Sequence, residues 1–350
     1  MQLLEILQQA VGRRASDILI IGGLPVSYKV REHIFREGER LLPDDTAQLV
    51  SEIYDAAGGR PMEALLAAGD DDFSFSVPGL SRFRVNTFKQ RGSLAAVIRV
   101  VTFTLPDRRE IGIPDAVMSF ADLTKGMVLV TGPAGSGKST TLACMLDRIN
   151  REREGHIITI EDPIEYLHRH NRSVVTQREL STDTCSYDAA LRAALRQSPD
   201  VIFLGEMRDY ETIKAAITAA ETGHLVVSTL HTIGAANTID RIIDAFPPAQ
   251  QQQIRVQLAG VLQGVVSQQL LPTVRGDIVP AFEIMRLNSA IRTMIREAKL
   301  HQVESVILSG AKEGMVTMDT SLKRLYDEGV ISRETAVRYS TNPERMESKV

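Results

Sequence analysis

Eight residues constrain this 350-residue chain more than any others. Gly132–Ser139 reads GPAGSGKS, between the apolar run MVLVT at 127–131 and a helical pattern that opens at Ser139. A strand that breaks into glycines and resumes as a helix gathers backbone N–H groups and a positive helix end around one point, which is how protein backbones hold phosphate. Gly135 and Gly137 permit the curl. Lys138 is the cation for the β- and γ-phosphates, and the Ser139 hydroxyl is a ligand for Mg2+. The expected binding segment is Gly132, Pro133, Ala134, Gly135, Ser136, Gly137, Lys138, Ser139 and Thr140, and the expected ligands are ATP and Mg2+.

Such a loop needs a buried parallel sheet behind it, and the flanking sequence supplies the pattern. Strand-like and helical runs alternate from about residue 115: MVLVTG, STTLACMLDRIN, HIITIED, YDAALRAALRQ, DVIFLGE, ETIKAAITAAETG and HLVVSTLHT. The strand-like runs are almost continuously apolar, as in strands covered on both faces. Beyond residue 248 the pattern reads as almost wholly helical, with QQQQ at 250–253 inside an amphipathic helix. The first hundred residues differ. They read as a helix over 3–11, two short strands within 17–30, a helix from Pro43 to the glycines near 58, and strands at 73–77, 82–90 and 94–101. The stretch TLPDRREIGIP at 104–114 mixes Pro, Gly and charge like a linker. The expected organisation is an α+β domain over 1–103, a linker over 104–114, and an α/β domain over 115–350 with a helical part from about 249.

Composition narrows the function classes. Lys and Arg number 40 against 44 Asp and Glu, a net charge of −4, which gives no basic surface for a nucleic-acid coat and no drive toward anionic lipid. Cys144 and Cys185 are the only cysteines, too few for a disulfide framework or a four-cysteine zinc site. Trp is absent and aromatics are 5%, so little is available to stack on bases. The N-terminus lacks a signal-peptide pattern, and no run approaches the ~18 apolar residues that span a bilayer. A cytoplasmic protein without an integral membrane segment is expected.

Hydrolysis needs one carboxylate near the metal and another to activate water. Glu206 ends DVIFLGE, at the carboxyl end of a parallel strand where α/β sheets bind ligands. It is the expected metal-side acid. Gly205 stands where an Asp is usual, so coordination through water is expected. Glu161, Asp162 and Glu165 crowd the strand exit TIEDPIE and would repel unless a cation is close. His224 and His231 bracket the strand LVVSTL beside Thr229 and Thr232, an arrangement suited to sensing a γ-phosphate. The pair in HRH at 168–170 has no evident third ligand for a metal. Arg82 and Arg84 share one strand face, with Phe83 and Val85 on the other. Arg99 falls on the face of Ala95, Val97 and Val101, which is costly unless an anion meets it.

Taken together, GPAGSGKSTTL, TIEDPIEY, DVIFLGEMRDYETI, AAETGHLVVSTLHT and AIRTMIRE resemble the pilus retraction ATPases of the secretion-ATPase superfamily, over essentially the whole chain. The resemblance implies a homohexameric ring motor with a PAS-like N-terminal domain and a RecA-like ATPase domain. It implies Mg2+-dependent ATP hydrolysis that powers type IV pilus retraction and twitching motility. The partner would be an inner-membrane pilus platform protein, met at the cytoplasmic face, and not a nucleic acid. In this sequence Glu165 matches the family's general base, Glu206 its Mg2+-side glutamate, His224 and His231 its paired histidines, and Arg84 and Arg99 the arginines that reach the nucleotide. Ala290–Glu297 matches a helix tied to retraction, with Thr293 and Met294 in place of Asn and Leu. Its Arg292 and Arg296 are expected on a solvated face. Two alternatives stand beside this reading: an assembly or secretion ATPase of the same superfamily, and a nucleic-acid translocase on a RecA-like core.

Overall fold

The computed structural model describes residues 2–30, 33–101 and 103–350. The chain divides into two compact units, Met1–Thr104 with Glu165–Leu167, and Leu105–Ile164 with His168–Val350.

The first unit is α+β. Its elements are α1 (Leu3–Gly12), β1 (Asp17–Ile20), β2 (Val26–Val30), β3 (His33–Glu37), α2 (Pro43–Ala56), α3 (Glu63–Ala68), β4 (Asp70–Val77), β5 (Ser81–Gln90) and β6 (Ser93–Val101). The strands form one antiparallel six-stranded sheet in the order β3-β2-β1-β6-β5-β4. Ile18, Ile20, Phe83, Val85 and Ile98 point from one sheet face into a core closed by Ile6 and Leu7 of α1, Val50 and Ile53 of α2, and Leu65 of α3. The helical spacing read from the sequence is the spacing of this buried stripe. Strand β3 was not foreseen, because HIFRE is an edge strand exposed along nearly its whole length and so has no buried face to impose alternation.

The second unit holds α4 (Asp115–Met118), β7 (Gly126–Thr131), α5 (Lys138–Glu152), β8 (His156–Glu161), β9 (Val174–Glu179), α6 (Tyr187–Ala194), β10 (Val201–Leu204), α7 (Tyr210–Glu221), β11 (Leu225–Leu230), α8 (Ala235–Asp244), α9 (Pro248–Val261), β12 (Leu262–Pro272), β13 (Ile278–Arg286), α10 (Ser289–Arg296), α11 (Val303–Ser309), α12 (Met318–Asp327), α13 (Arg333–Tyr339) and α14 (Pro343–Glu347). Its seven-stranded sheet runs β13-β12-β7-β11-β10-β8-β9. All neighbours are parallel except β12 and β13. Every residue of β7, β10 and β11 is buried, because helices cover both faces. On one face Ile213, Ile239, Leu258 and Ile295 bring in α7, α8, α9 and α10. On the other, Leu142, Met145 and Ile149 bring in α5.

Two expectations need correction. The chain beyond 248 is not almost wholly helical: α9 runs straight into the long strand β12, which pairs with β13. Buried Ser267, Gln268 and Gln269 interrupt the apolar run by which the other core strands were read. The stretch expected as a linker belongs to the second unit from Leu105 onward, and its Ile113 is buried in that unit's core.

Candidate active site

Four adjacent parallel strands, β7, β11, β10 and β8, lead into the phosphate loop, His231, Glu206 and the acids of TIEDPIE. Their register sets Leu230 beside Thr131 and Leu204 beside both Ser228 and Ile160, so their carboxyl ends open on one edge of the sheet.

The phosphate loop leaves β7. Gly132 has φ +141°, and a Cβ there would lie 2.1 Å from the backbone oxygen of Gln268, so no side chain fits. Gly137, at φ 84°, caps α5. Lys138 folds back over the loop and its Nζ donates to the Gly132 and Pro133 carbonyls, each at 2.9 Å. Ser139 and Thr140 open the helix, half-buried, while Pro133, Ala134 and Gly135 are exposed and Ser136 is buried.

Glu206 leaves β10 and is 8% exposed. One carboxylate oxygen pairs with Arg208, and the other lies 3.2 Å from His231 Nε2. Two bonds fix this strand end to β11: the Thr229 hydroxyl donates to the Gly205 carbonyl, and the Met207 N–H to the Thr229 carbonyl at 3.2 Å. His231 follows β11. Burial and the positive charges of Lys138 and Arg208 push its imidazole below the ordinary histidine range. At neutral pH His231 is therefore an uncharged ring, and in the Nε2–H tautomer it donates to Glu206. His231 thus meets Glu206, and the charge of Lys138 reaches the imidazole. Arg208, two residues past Glu206, joins them without having been singled out.

The acids leaving β8 separate by burial. Glu161 is 7% exposed and accepts from the Thr159 hydroxyl at 2.6 Å and the Gln177 amide at 3.2 Å. Asp162 and Glu165 are exposed. The glycine at the end of β10 has a steric reason. A Cβ on Gly205 would lie 2.9 Å from the Tyr187 hydroxyl and 3.3 Å from the Glu161 Cα. Burial and the charges of Asp162 and Glu161 push the Tyr187 phenol up.

Other expected site residues lie elsewhere. His224 is at the opposite end of β11 from His231. Its carbonyl accepts from Gly126, and its Nδ1 lies 3.0 Å from the Ala219 carbonyl. The six residues of β11 span roughly 20 Å, so two histidines that bracket it cannot both meet one phosphate in a subunit. The burial cost argued for Arg99 also falls away. Its side chain is 64% exposed, and its Nε donates to Asp17 at 3.0 Å. Arg84 stands directly across from Arg99 on β5 and is likewise exposed. Phe83 and Val85 fill the core from the opposite face, as read from the sequence. His170 accepts from the Val175 N–H at 3.0 Å, and no cluster fit to hold a metal occurs among the described residues.

One brace of the site was missed. Gln268 of β12 is 3% exposed and accepts from the Thr141 hydroxyl at 2.7 Å, and a Cβ on Gly137 would lie 2.9 Å from its amide nitrogen. A buried polar residue in a strand was the available signal, hidden by the helical reading of this stretch.

A phosphate loop, a strand-end glutamate and a neutral histidine on a mainly parallel sheet define a nucleotide-binding α/β unit. The family described as type II/IV secretion system protein matches residues 2–312, and the chain belongs to that family. It is 44% identical, over 98% of its length and 99% of the relative's, to the type IV pilus retraction ATPase PilT of Pseudomonas aeruginosa. A twitching motility protein of Neisseria gonorrhoeae is 50% identical over 79% of this chain and 74% of its own. The crystal structure of the pilus retraction motor PilT with bound ADP superposes with a TM-score of 0.89 at 46% identity, covering 99% of both chains.

Proposed function

We propose that this protein is a Mg2+-dependent ATPase whose turnover drives type IV pilus retraction, and hence twitching motility. The observation that supports the reading is the His231–Glu206 contact at the ends of β11 and β10, within reach of the Lys138 charge on the phosphate loop that follows β7, in a chain this similar to PilT. The loop N–H groups and Lys138 bind the phosphates, with Lys138 exchanging the Gly132 and Pro133 carbonyls for phosphate oxygens. The Ser139 hydroxyl and the Glu206 carboxylate are hard oxygen donors of the kind Mg2+ takes. Bound there, the ion would offset phosphate charge. His231 keeps Glu206 oriented through its neutral Nε2–H. Glu165 takes the proton of the attacking water, and Arg84 and Arg99 supply cations for the phosphates. These three roles rest on the family pattern alone. His224 has no part at the phosphates of its own subunit. The working form is a homohexamer at the cytoplasmic face of the inner membrane, acting on a pilus platform protein, with a PAS-like domain ahead of the ATPase domain.

The test is complementation. Cells lacking their own retraction ATPase should regain twitching with the wild-type chain and not with Lys138→Ala at equal protein level. Rescue by both would defeat the proposal.

A further inference from the structure

The β12–β13 hairpin carries buried polar side chains for which the chemistry above has no use. Ser267, Gln268 and Glu283 are 0%, 3% and 6% exposed. The register pairs Ser267 with Glu283 and Gln268 with Phe282, so the first pair faces one side of the sheet and Gln268 the other. Neighbouring apolar residues confirm the sorting. Val265 and Met285 lie in the core shared with α8, whereas Val266, Phe282 and Ile284 lie in the core shared with α5.

Each polar group bonds the loop on its own side. Gln268 accepts from Thr141 in the first turn of α5, its amide nitrogen packs against Gly137, and its backbone oxygen excludes any side chain at Gly132. On the opposite side the Ser267 hydroxyl accepts from the Gly234 N–H at 3.0 Å. Glu283 accepts from the Ala235 N–H at 2.7 Å through one oxygen and from the Met318 N–H at 3.3 Å through the other. These N–H groups open α8 and α12, and the positive ends of the two helices meet a carboxylate that burial would otherwise destabilise. Gly234 follows His231 by only three residues, so the bonds that hold Gly234 and Ala235 also limit where the imidazole can go.

We propose that the hairpin positions the two loops of the site separately, Gln268 setting the phosphate loop for nucleotide binding and the Ser267–Glu283 pair setting the His231 segment for turnover. The inference rests on reading the site as ATP-hydrolysing. Without Gln268, part of the binding free energy must order the phosphate loop, and affinity falls. Without Glu283, the phosphates still bind, but His231 no longer holds Glu206, and the loss appears in the chemical step.

The experiment measures, on the full chain, the Kd for a fluorescent ATP analogue with Mg2+, kcat at saturating ATP, and Tm. Gln268→Leu should raise Kd about ten-fold with kcat within about two-fold of wild type. Glu283→Gln keeps the side chain's shape but turns a donor toward one of the two N–H groups. It should leave Kd within about two-fold and lower kcat about ten-fold. If either variant fails to fold, Thr141→Val removes the Gln268 bond from the other side, and Ser267→Ala releases Gly234. A common proportional change of Kd and kcat in both classes, no change in either, or failure of all four variants to fold would overturn the inference. A wild-type chain that binds nucleotide without turnover would instead defeat the ATPase reading, and the Kd contrast between Gln268→Leu and Glu283→Gln would still decide the binding half.

Discussion

Cys144 and Cys185 differ only in their surroundings. Cys144 lies on the buried side of α5, where burial, followed by the charges of Asp147 and Asp107, pushes its thiol up to about 11. At pH 8 almost none of it is thiolate, the reactive form. Cys185 is exposed ahead of α6. A native chain treated with a thiol reagent at pH 8 should modify Cys185 rapidly and Cys144 only after unfolding, as read by mass spectrometry of peptides. Equal rates would show that α5 does not bury Cys144. Arg292 also departs from expectation. Rather than joining Arg296 on a solvated face, it donates to the Ala259 and Gly260 carbonyls in the last turn of α9. Ile291 and Ile295 are buried as the helical stripe requires. Replacing both arginines would therefore mix output with stability. Arg292→Ala should cost about 1 kcal/mol, as loss of a charged bond to helix carbonyls does. Arg296→Ala should stay within about 0.5 kcal/mol. Chemical denaturation of the two single variants distinguishes them, and equal costs would contradict the capping contact.

At the scale of elements, legibility followed burial pattern. Strands β7, β10 and β11 are buried at every position and largely apolar because both faces are covered, and the sequence displayed them plainly. The phosphate loop was legible because its glycines serve backbone geometry that few other structures need. Strand β12 was not, because Ser267, Gln268 and Gln269 are buried with bonds to other parts of the fold, in α5, before α8 and at the end of α13. Tertiary partners 33 to 127 residues away cannot be read from local periodicity. His224 and His231 show the same limit. Proximity in sequence suggested one site, while an extended strand sends its two ends apart. Gly205 gives a test at this scale. The usual acid placed there should not improve the site, because its Cβ would meet the Tyr187 hydroxyl and the Glu161 backbone. Gly205→Asp should lower both Tm and turnover. Higher turnover with unchanged Tm would show that this strand end has room.

For the whole molecule, the second unit carries the phosphate loop, Glu206 and His231, whereas Arg84 and Arg99 belong to the first and Glu165 groups with it. The proposed hexamer makes activity depend on assembly. Turnover per subunit should rise with protein concentration and then level off, in step with the sedimentation of a six-fold species. Full activity in a sedimenting monomer would remove the ring from the mechanism. No helix among the described residues is long and apolar enough to cross a membrane. The most direct measurement is steady-state phosphate release with Mg2+-ATP by the assembled wild-type chain, Lys138→Ala and Glu206→Gln, each with its Tm. Turnover by the wild type, and its loss by a factor of at least about 100 in both variants at unchanged Tm, is the result predicted here. Wild-type rates in a folded Lys138→Ala protein would contradict the assignment of the site.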